Sequence, residues 1–413
     1  MAAQRVIFHC DCNSFYASVE LLTRPELKNV PVAVCGNPQH RHGIILAKNE
    51  AAKKYGIQTA ETVASARRKC PQLALLPPHH ELYRAYSKQV NAIYARYTEF
   101  VEPFGIDESW LDMTASWHLF GHSPVAVAHR IRREVKAQTG LTISVGVSFT
   151  KAFAKLGSDY KKPDAVTEFS LENYRQLVWP LPVEALLYVG HSARQTLGKL
   201  GITTIGQLAA ASPQVLEAAL GKLGMELWGF ARGEEGSPVR SMYEKREVKA
   251  GQRPYLPADL TTLADARAGL VALSDEVASR LRAHGLYAGA VQITVKDAGF
   301  KTITRQAQLA TPTHLAKDIA AAALTLLQQN WRFPAPIRML TVTALNVSHS
   351  AAAQLSLFAP EAGQEDVRRE NLEKSLDSIR GKFGKSAIAS ASALRADMGL
   401  GGLKIKENRK KGE

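Results

Sequence analysis

Three carboxylates stand where chemistry could be done with them. Asp11 directly follows the apolar run Val6-Ile-Phe-His-Cys10, and Asp107 and Glu108 are neighbours within Ile106-Asp-Glu-Ser-Trp-Leu-Asp-Met113. A carboxylate at a strand end costs desolvation energy unless it is paired or holds a metal. Mg²⁺ takes oxygen ligands, and two ions ~3.5–4 Å apart need several carboxylate oxygens, completed by substrate phosphates and water. Asp11, Asp107 and Glu108 would supply that set. Adjacent residues of an ideal strand point to opposite faces, so Asp107 and Glu108 reach one site only through a twist or a bulge. On spacing alone the ordinary reading is the stronger one: Asp11 near a helix start, Asp107 in a turn, Glu108 solvated.

The flanking elements decide whether these groups meet. Val6–Cys10 reads as a buried strand, with Asn13-Ser14 capping a helix that starts at Phe15. Pro31–Cys35 and Ile44–Ala47 are further strands, and Asn49 begins a helix closed by Gly56. Leu82, Tyr86, Val90, Ile93 and Tyr97 recur at helical spacing, which predicts a long amphipathic helix over 80–99. Glu102-Pro-Phe-Gly105 is turn chemistry ahead of a hairpin through 106–113. A helix over 124–140, a strand over 141–147 and a helix over 151–160 complete a mixed region. Residues 183–232 read as short helices punctuated by glycine, and the charged stretch to Arg246 as a linker. From 247 to 347 the pattern is strand, helix, two strands, helix, strand.

Composition bounds the partners. The chain has 413 residues, and 52 Lys and Arg against 38 Asp and Glu leave a net charge of +14, which points toward a polyanion such as nucleic acid. With 46% hydrophobic residues it can build a packed core. No apolar stretch reaches the ~18 residues of a membrane span. The start lacks the pattern of a signal peptide. Cys10, Cys12, Cys35 and Cys70 form no CxxC pair, which argues against a disulfide scaffold or a structural zinc. The expectation is a reduced, cytoplasmic, soluble protein.

Beyond spacing, the residues themselves carry a resemblance. Asp11-Cys-Asn-Ser-Phe-Tyr-Ala-Ser-Val-Glu20 and Gly105-Ile-Asp-Glu-Ser-Trp-Leu-Asp112 resemble the two catalytic motifs of the Y-family, translesion DNA polymerases. Ser144-Val-Gly-Val-Ser148, Phe153-Ala-Lys-Leu-Gly-Ser-Asp159 and Lys162-Pro163 are similar to the next block. Pro182-Val, Tyr188-Val-Gly190, Leu200-Gly-Ile and Thr204-Ile-Gly-Gln-Leu208 resemble its helix–hairpin–helix thumb. Order and spacing match over roughly residues 4–347. The resemblance implies an α+β right hand: palm over 1–23 and 80–168, fingers over 24–79, thumb over 169–233, linker over 234–246 and a βαββαβ little finger over 247–348. It implies a low-fidelity, template-directed polymerase that inserts deoxynucleotides opposite damaged bases without proofreading. Asp11, Asp107, Glu108 and the carbonyl of Cys12 would hold two Mg²⁺ ions. Tyr16 would be the steric gate against ribonucleotides, with Phe15 beside it. Lys162 would contact the triphosphate, although its neighbour Lys161 can exchange roles with it.

The chain also departs from the family pattern. The fingers read Ala47-Lys-Asn-Glu-Ala-Ala-Lys53 where many members read Thr-Ala-Asn-Tyr-Glu-Ala-Arg. Lys53 then supplies charge without a bidentate fork, and Lys48 can compensate. The first motif carries Asn13 where many relatives have Asp. These departures keep an alternative open, a catalytically weak paralogue that serves as a DNA- and clamp-binding scaffold.

The remaining expectations concern macromolecular partners. Backbone amides around Val189, Gly190 and Ser192 would bind phosphate without reading sequence. Lys249, Arg253, Lys296, Lys301 and Arg305 would follow the duplex backbone of primer-template DNA. Gln354-Leu-Ser-Leu-Phe358 resembles the pentapeptide with which bacterial polymerases dock on the sliding clamp; Leu355, Leu357 and Phe358 would enter an apolar groove while the Gln354 amide hydrogen-bonds. Leu372, Leu376, Ile379 and Phe383 then share one face of a helix over 364–383 that folds back on the body or meets a partner, and a basic tail follows over 404–413. A monomer is expected.

Overall fold

The structure is a computed structural model that describes residues 4–36, 43–241, 259–349, 364–384 and 387–388. It divides into two compact units, Met1–Lys245 and Arg246–Glu413. In chain order the first holds β1 (Ile7–Cys12), α1 (Phe15–Leu22), β2 (Val32–Cys35), β3 (Ile45–Lys48), α2 (Glu50–Lys53), α3 (Val63–Lys69), β4 (Ala74–Leu76) and α4 (His80–Tyr94). It continues with β5 (Val101–Pro103), β6 (Glu108–Asp112), α5 (Pro124–Thr139), β7 (Ile143–Ser148), α6 (Lys151–Tyr160) and β8 (Val166–Phe169). The helices α7 (Tyr174–Leu177), α8 (His191–Lys199), α9 (Ile205–Ala210), α10 (Pro213–Leu220) and α11 (Lys222–Arg232) complete it.

β1 is the centre of a five-stranded sheet ordered β5-β6-β1-β7-β8. Both its neighbours run antiparallel, pairing Asp11 with Glu108 on one side and with Ser144 on the other. Every residue of β1 is buried, which is why it reads as a continuous apolar run rather than an alternating one. Its side chains still alternate between faces. Phe8, Cys10 and Cys12 enter a core with Val90 and Ile93 of α4 and Ile131 and Val135 of α5. His9 and Asp11 turn instead to α6, meeting Ser158 and Lys155.

α6 lies unusually close to the sheet, because glycines meet at the crossing. A Cβ added at Gly146 would stand 1.9 Å from the carbonyl oxygen of Ala154, and one added at Gly157 would stand 3.0 Å from the Gly146 Cα. Thr150 caps α6 by accepting from the Phe153 amide. Its first amides, Lys151 and Ala152, also donate to the Glu235 carboxylate at 2.7 and 3.3 Å. Arg5 holds the carbonyls of Glu235 and Ser237, and Val239 is buried beside Ile7, Trp110 and Ala154. Residues 234–241, expected as the start of a linker, are thus docked on the sheet.

Several local expectations are corrected. The helix after Asn49 spans only Glu50–Lys53, capped as expected by the Asn49 side chain. Leu82 is exposed, while Tyr83 takes the buried position on α4. β4, α3 and β8 were not legible as elements. Ser14 precedes α1 without a side-chain capping bond, at a left-handed φ of 50°.

The second unit holds α12 (Leu263–Ala283), β9 (Tyr287–Asp297), β10 (Thr302–Thr313), α13 (Ala316–Asn330), β11 (Ile337–Ser348) and α14 (Gln364–Phe383). Its described sheet has three strands, ordered β10-β9-β11, plus a bridge between Leu260 and Ile337. The expected first strand falls on 242–258, outside the described residues. Leu270, Leu273, Ile319 and Leu327 of α12 and α13 cover one face over Ile293, Val295, Leu340 and Val342. α14 folds back on this unit, and charge rather than its apolar stripe anchors it. Arg282, with its side chain 5% exposed, pairs with Glu373 and, at 2.7 Å, with Asp377, and Arg380 pairs with Asp275. Glu373 also accepts from the Ala316 amide at 3.0 Å, so α14 caps α13. Leu372 and Phe383 stay exposed. Among the described residues no helix is long and apolar enough to cross a membrane.

The α6 crossing can be tested by stability. Gly146→Ala is expected to lower unfolding free energy by about 3 kcal/mol or more through overpacking against backbone. Gly198→Ala, in α8 with open space around it, is expected to raise it by about 0.5–1 kcal/mol. Urea melts of the two variants check both signs.

Candidate active site

The carboxylates gather at the end of β1. The Cys12 amide donates to the Asp107 carbonyl at 2.9 Å, bringing the turn before β6 against the strand end. Asp107 lies in that turn and Glu108 is the first residue of β6, so the opposite-face rule for adjacent strand residues does not bind them. Asp11, Asp107 and the residues Cys12 to Tyr16 line a cavity of about 400 Å³, with Lys48, Lys53 and Lys162 also on its wall. Glu108 turns instead toward α6.

Two lysines thread the acidic cluster. Lys155 Nζ lies 2.6 Å from Glu108 Oε2, 3.3 Å from Asp11 Oδ2 and 3.3 Å from Asp159 Oδ2. Lys162 Nζ lies 2.9 Å from Asp11 Oδ2 and 2.7 Å from Asp159 Oδ1. Lys161 is exposed, which settles which of the two neighbouring lysines faces the site. Burial works against the Lys155 charge, but Asp11, Asp159 and Glu108 outweigh it and raise its pKa above the usual lysine value. Burial raises the pKa of Asp107, reinforced by the Asp11 charge. Burial likewise raises that of Glu108, against the opposing pull of Lys155.

Four carboxylates here face two ammoniums, so two negative charges remain uncompensated. With the Cys12 carbonyl, the donors are all oxygens, the set Mg²⁺ prefers. One cation, the Lys155 ammonium, already touches both Asp11 and Glu108, so their oxygens converge on a single positive charge. Among the described residues no three His, Cys, Asp or Glu side chains are gathered at metal-binding distance. The Lys155 ammonium stands in the position between Glu108 and Asp11.

Asn13 is a tie rather than a ligand. Its Nδ2 donates to Ser144 Oγ at 2.9 Å and its Oδ1 accepts from the Asp164 amide at 2.8 Å, joining β1, β7 and the loop after Lys162-Pro163. Ser14, in its left-handed conformation, turns the chain so that Phe15 is 3% exposed in the core and Tyr16 is half-buried at the cavity. Tyr16 stacks on Tyr83, with centroids 4.1 Å apart and planes at 14°. Tyr83 donates to Glu20 Oε1 at 2.5 Å, and Arg24 Nη1 donates to Glu20 Oε2 at 2.7 Å. His79 Nδ1 lies 2.8 Å from Glu20 Oε1. Burial would raise the pKa of Glu20, itself 1% exposed, but these partners hold it below the usual carboxylate range.

On the opposite wall Lys53 Nζ donates to Glu50 Oε1 at 2.5 Å, and Lys48 donates to Thr59 at 3.1 Å. Burial, then the Lys53 charge, lowers the pKa of Lys48. The amides of Val189 and Gly190, expected to bind phosphate, already donate to the carbonyls of Leu186 and Tyr188 at 3.1 and 3.0 Å, while Gly190 leaves the first turn of α8, which includes Ser192, without a side-chain cap. In the second unit Lys296 reaches over the exposed Phe300 ring at 6.0 Å, and Lys301 sits in the β9–β10 turn. Arg305 departs from them, donating to Asn330 at the end of α13. Lys249, Arg253, Gln354, Leu355, Leu357 and Phe358 lie outside the described residues.

Sequence reasoning missed Lys155, Asp159, Glu20 and Tyr83. The first two had a signal: 155, 159 and 162 alternate in charge at spacings of four and three, one face of a helix. Glu20 and Tyr83 had none, since they are 63 residues apart and meet only in the fold.

Residues 10–159 match the impB/mucB/samB family and residues 252–357 match the impB/mucB/samB family C-terminal domain. The chain is 44% identical to a DNA polymerase IV of Acetivibrio thermocellus over 402 residues, covering 96% of this chain and 99% of that one. It is 35% identical to a DNA polymerase IV of Clostridium kluyveri, covering 95% and 98%, and 35% identical to DNA polymerase IV 2 of Bacillus subtilis, covering 96% of each. A solved Y-family DNA polymerase chimera superposes with a TM-score of 0.74 at 20% identity, covering 84% of this chain and all of its own. The catalytic motifs quoted from the sequence, relatives matched almost end to end and a shared fold place this chain in the Y-family of DNA polymerases, on its DNA polymerase IV branch.

Proposed function

We propose that the cavity beside Asp11 is where this translesion DNA polymerase joins an incoming deoxynucleotide to the primer end. One observation carries the reading: a single cavity brings Asp11 and Asp107 together with Tyr16, Lys53 and Lys162. Asp11, Asp107, Glu108 and the Cys12 carbonyl would hold two Mg²⁺ ions, which supply the acidified primer hydroxyl and the charge neutralisation that phosphoryl transfer needs. Tyr16, backed by Tyr83, forms a floor too close to admit a 2′-hydroxyl. Lys162, with Lys48 and Lys53 across the cavity, offsets triphosphate charge. Glu50 and Lys53 stand where many relatives have Tyr and Arg, so this wall binds by charge rather than by a fork. In this assignment the five-stranded sheet with α4, α5 and α6 is the palm, the small β3-β2-β4 sheet the fingers, α7–α11 the thumb and the second unit the little finger.

The first turn of α8, Lys296 at the end of β9 and Lys301 in the β9–β10 turn serve primer-template DNA by contacting phosphates, so affinity falls steeply with salt. Gln354–Phe358 docks the chain, acting as a monomer in the cytoplasm, on the bacterial sliding clamp. The scaffold alternative is not favoured, because all three carboxylates are present at one strand end.

Primer extension on undamaged and abasic templates tests the site. Glu108→Gln is expected to reduce extension by about a thousandfold with DNA affinity within about twofold of wild type. Retained synthesis would remove Glu108 from the site. Tyr16→Ala is expected to lower discrimination against ribonucleotides by about 100-fold. Tyr83→Phe, which keeps the ring but drops the bond to Glu20, should lower it by about tenfold, measured as the ratio of kcat/KM values. Leu357→Ala with Phe358→Ala is expected to abolish stimulation by the clamp while leaving unassisted extension unchanged.

A further inference from the structure

Lys155 is not needed for any role assigned so far, yet it is the most heavily contacted charge in the site. Its ammonium touches Glu108, Asp11 and Asp159 together, within 2.6–3.3 Å. We infer that Lys155 is a built-in counter-ion that competes with divalent cations for Glu108 and Asp11, and that it yields the site by moving onto Asp159. The inference rests on the reading that these carboxylates hold the metals.

Three features support it. First, the helix cannot withdraw the lysine. The glycine crossing fixes α6 against β7, and His9 Nδ1 lies 2.8 Å from Ser158 Oγ, whose hydroxyl donates to the Lys155 carbonyl at 2.8 Å. Exchange must therefore happen in the side chain, whose flexible four-carbon stem permits it. Second, an alternative acceptor is already in place. Asp159 is one helical turn away, its side chain is 47% exposed, and it already contacts both lysines. Third, an ammonium and a divalent cation cannot share the same two carboxylates, because like charges a few ångströms apart in a partly buried site repel strongly.

The arrangement has a functional consequence. Without substrate the Lys155 ammonium occupies the oxygens of Glu108 and Asp11, so the cluster, although still net negative, holds cations weakly. An arriving triphosphate that draws Lys162 away from Asp11 also frees Asp159 to receive Lys155. Metal loading is thereby tied to nucleotide arrival.

The test is Mn²⁺ binding to the full chain without DNA, read from the loss of the free-ion EPR signal, with circular dichroism melts as a folding control. Lys155→Met is expected to bind Mn²⁺ roughly tenfold more tightly than wild type, and Lys155→Arg to bind like wild type. A lysine that merely supports the fold would give the opposite sign or no change, and that result overturns the inference. Lys155→Gln replaces Lys155→Met if the latter fails to fold. Asp159→Asn should weaken Mn²⁺ binding severalfold in the wild-type background and have less effect beside Lys155→Met; equal effects in both backgrounds remove the acceptor role. Glu108→Gln separates the two readings. If it weakens Mn²⁺ binding while Lys155→Met does nothing, only the counter-ion inference fails. If Glu108→Gln and Asp11→Asn both bind like wild type, the metal-site reading fails and the inference falls with it.

Discussion

A carboxylate at the end of a fully buried strand must find compensating charge, and much of the first unit is arranged around meeting that demand for Asp11. Strand β1 is held on both sides by antiparallel neighbours, so only its face and its end are free to receive a partner. The compensation comes from α6, which reaches the sheet because Gly146 and Gly157 remove the side chains that would keep it away. Lys155 arrives from the helix and Lys162 from the turn beyond it, and Asp159 lies between them. The same packing that stabilises the fold sets the charge balance of the site. A change in the crossing would therefore disturb stability and chemistry together.

The Tyr16 side of the cavity follows a similar logic with different chemistry. Tyr16 gains rigidity from a ring stacked behind it, and that ring is held by a buried carboxylate with three polar partners. A satisfied buried network of this kind fixes geometry more firmly than packing alone. It links α1 to α4, the two helices that frame the cavity floor. The Glu20 network thus holds the ring that backs Tyr16, although Glu20 itself does not line the cavity.

In the second unit α14 is anchored by charge where apolar packing would be expected. The apolar residues of α14 are largely exposed, while Arg282 is buried among carboxylates of that helix. Removing either partner would leave an unpaired buried charge, which is far costlier than losing a surface contact. Its open sheet face carries neutral polar side chains such as Thr294 and Thr304, with lysines toward the β9–β10 turn.

Much of this was legible in the residues. The buried strand before Asp11, the amphipathic helices and the turn before Glu108 follow from local periodicity and turn chemistry, and the catalytic motifs are contiguous in sequence. Val90, Ile93 and Tyr97 are buried as periodicity predicts, and only the first position of that face, Leu82, departs from it. Periodicity placed Leu82 inward, but Tyr83, three residues before Tyr86, takes the buried position and finds an acceptor in Glu20. The sequence by itself determined the family and singled out the three carboxylates and Tyr16, because these depend on residue type and short spacing. Only the tertiary structure decided which lysine faces the carboxylates, what backs Tyr16 and where Arg305 points. Those depend on approaches between segments tens to more than a hundred residues apart, set by two glycines and by one buried carboxylate, and no local pattern encodes such distances.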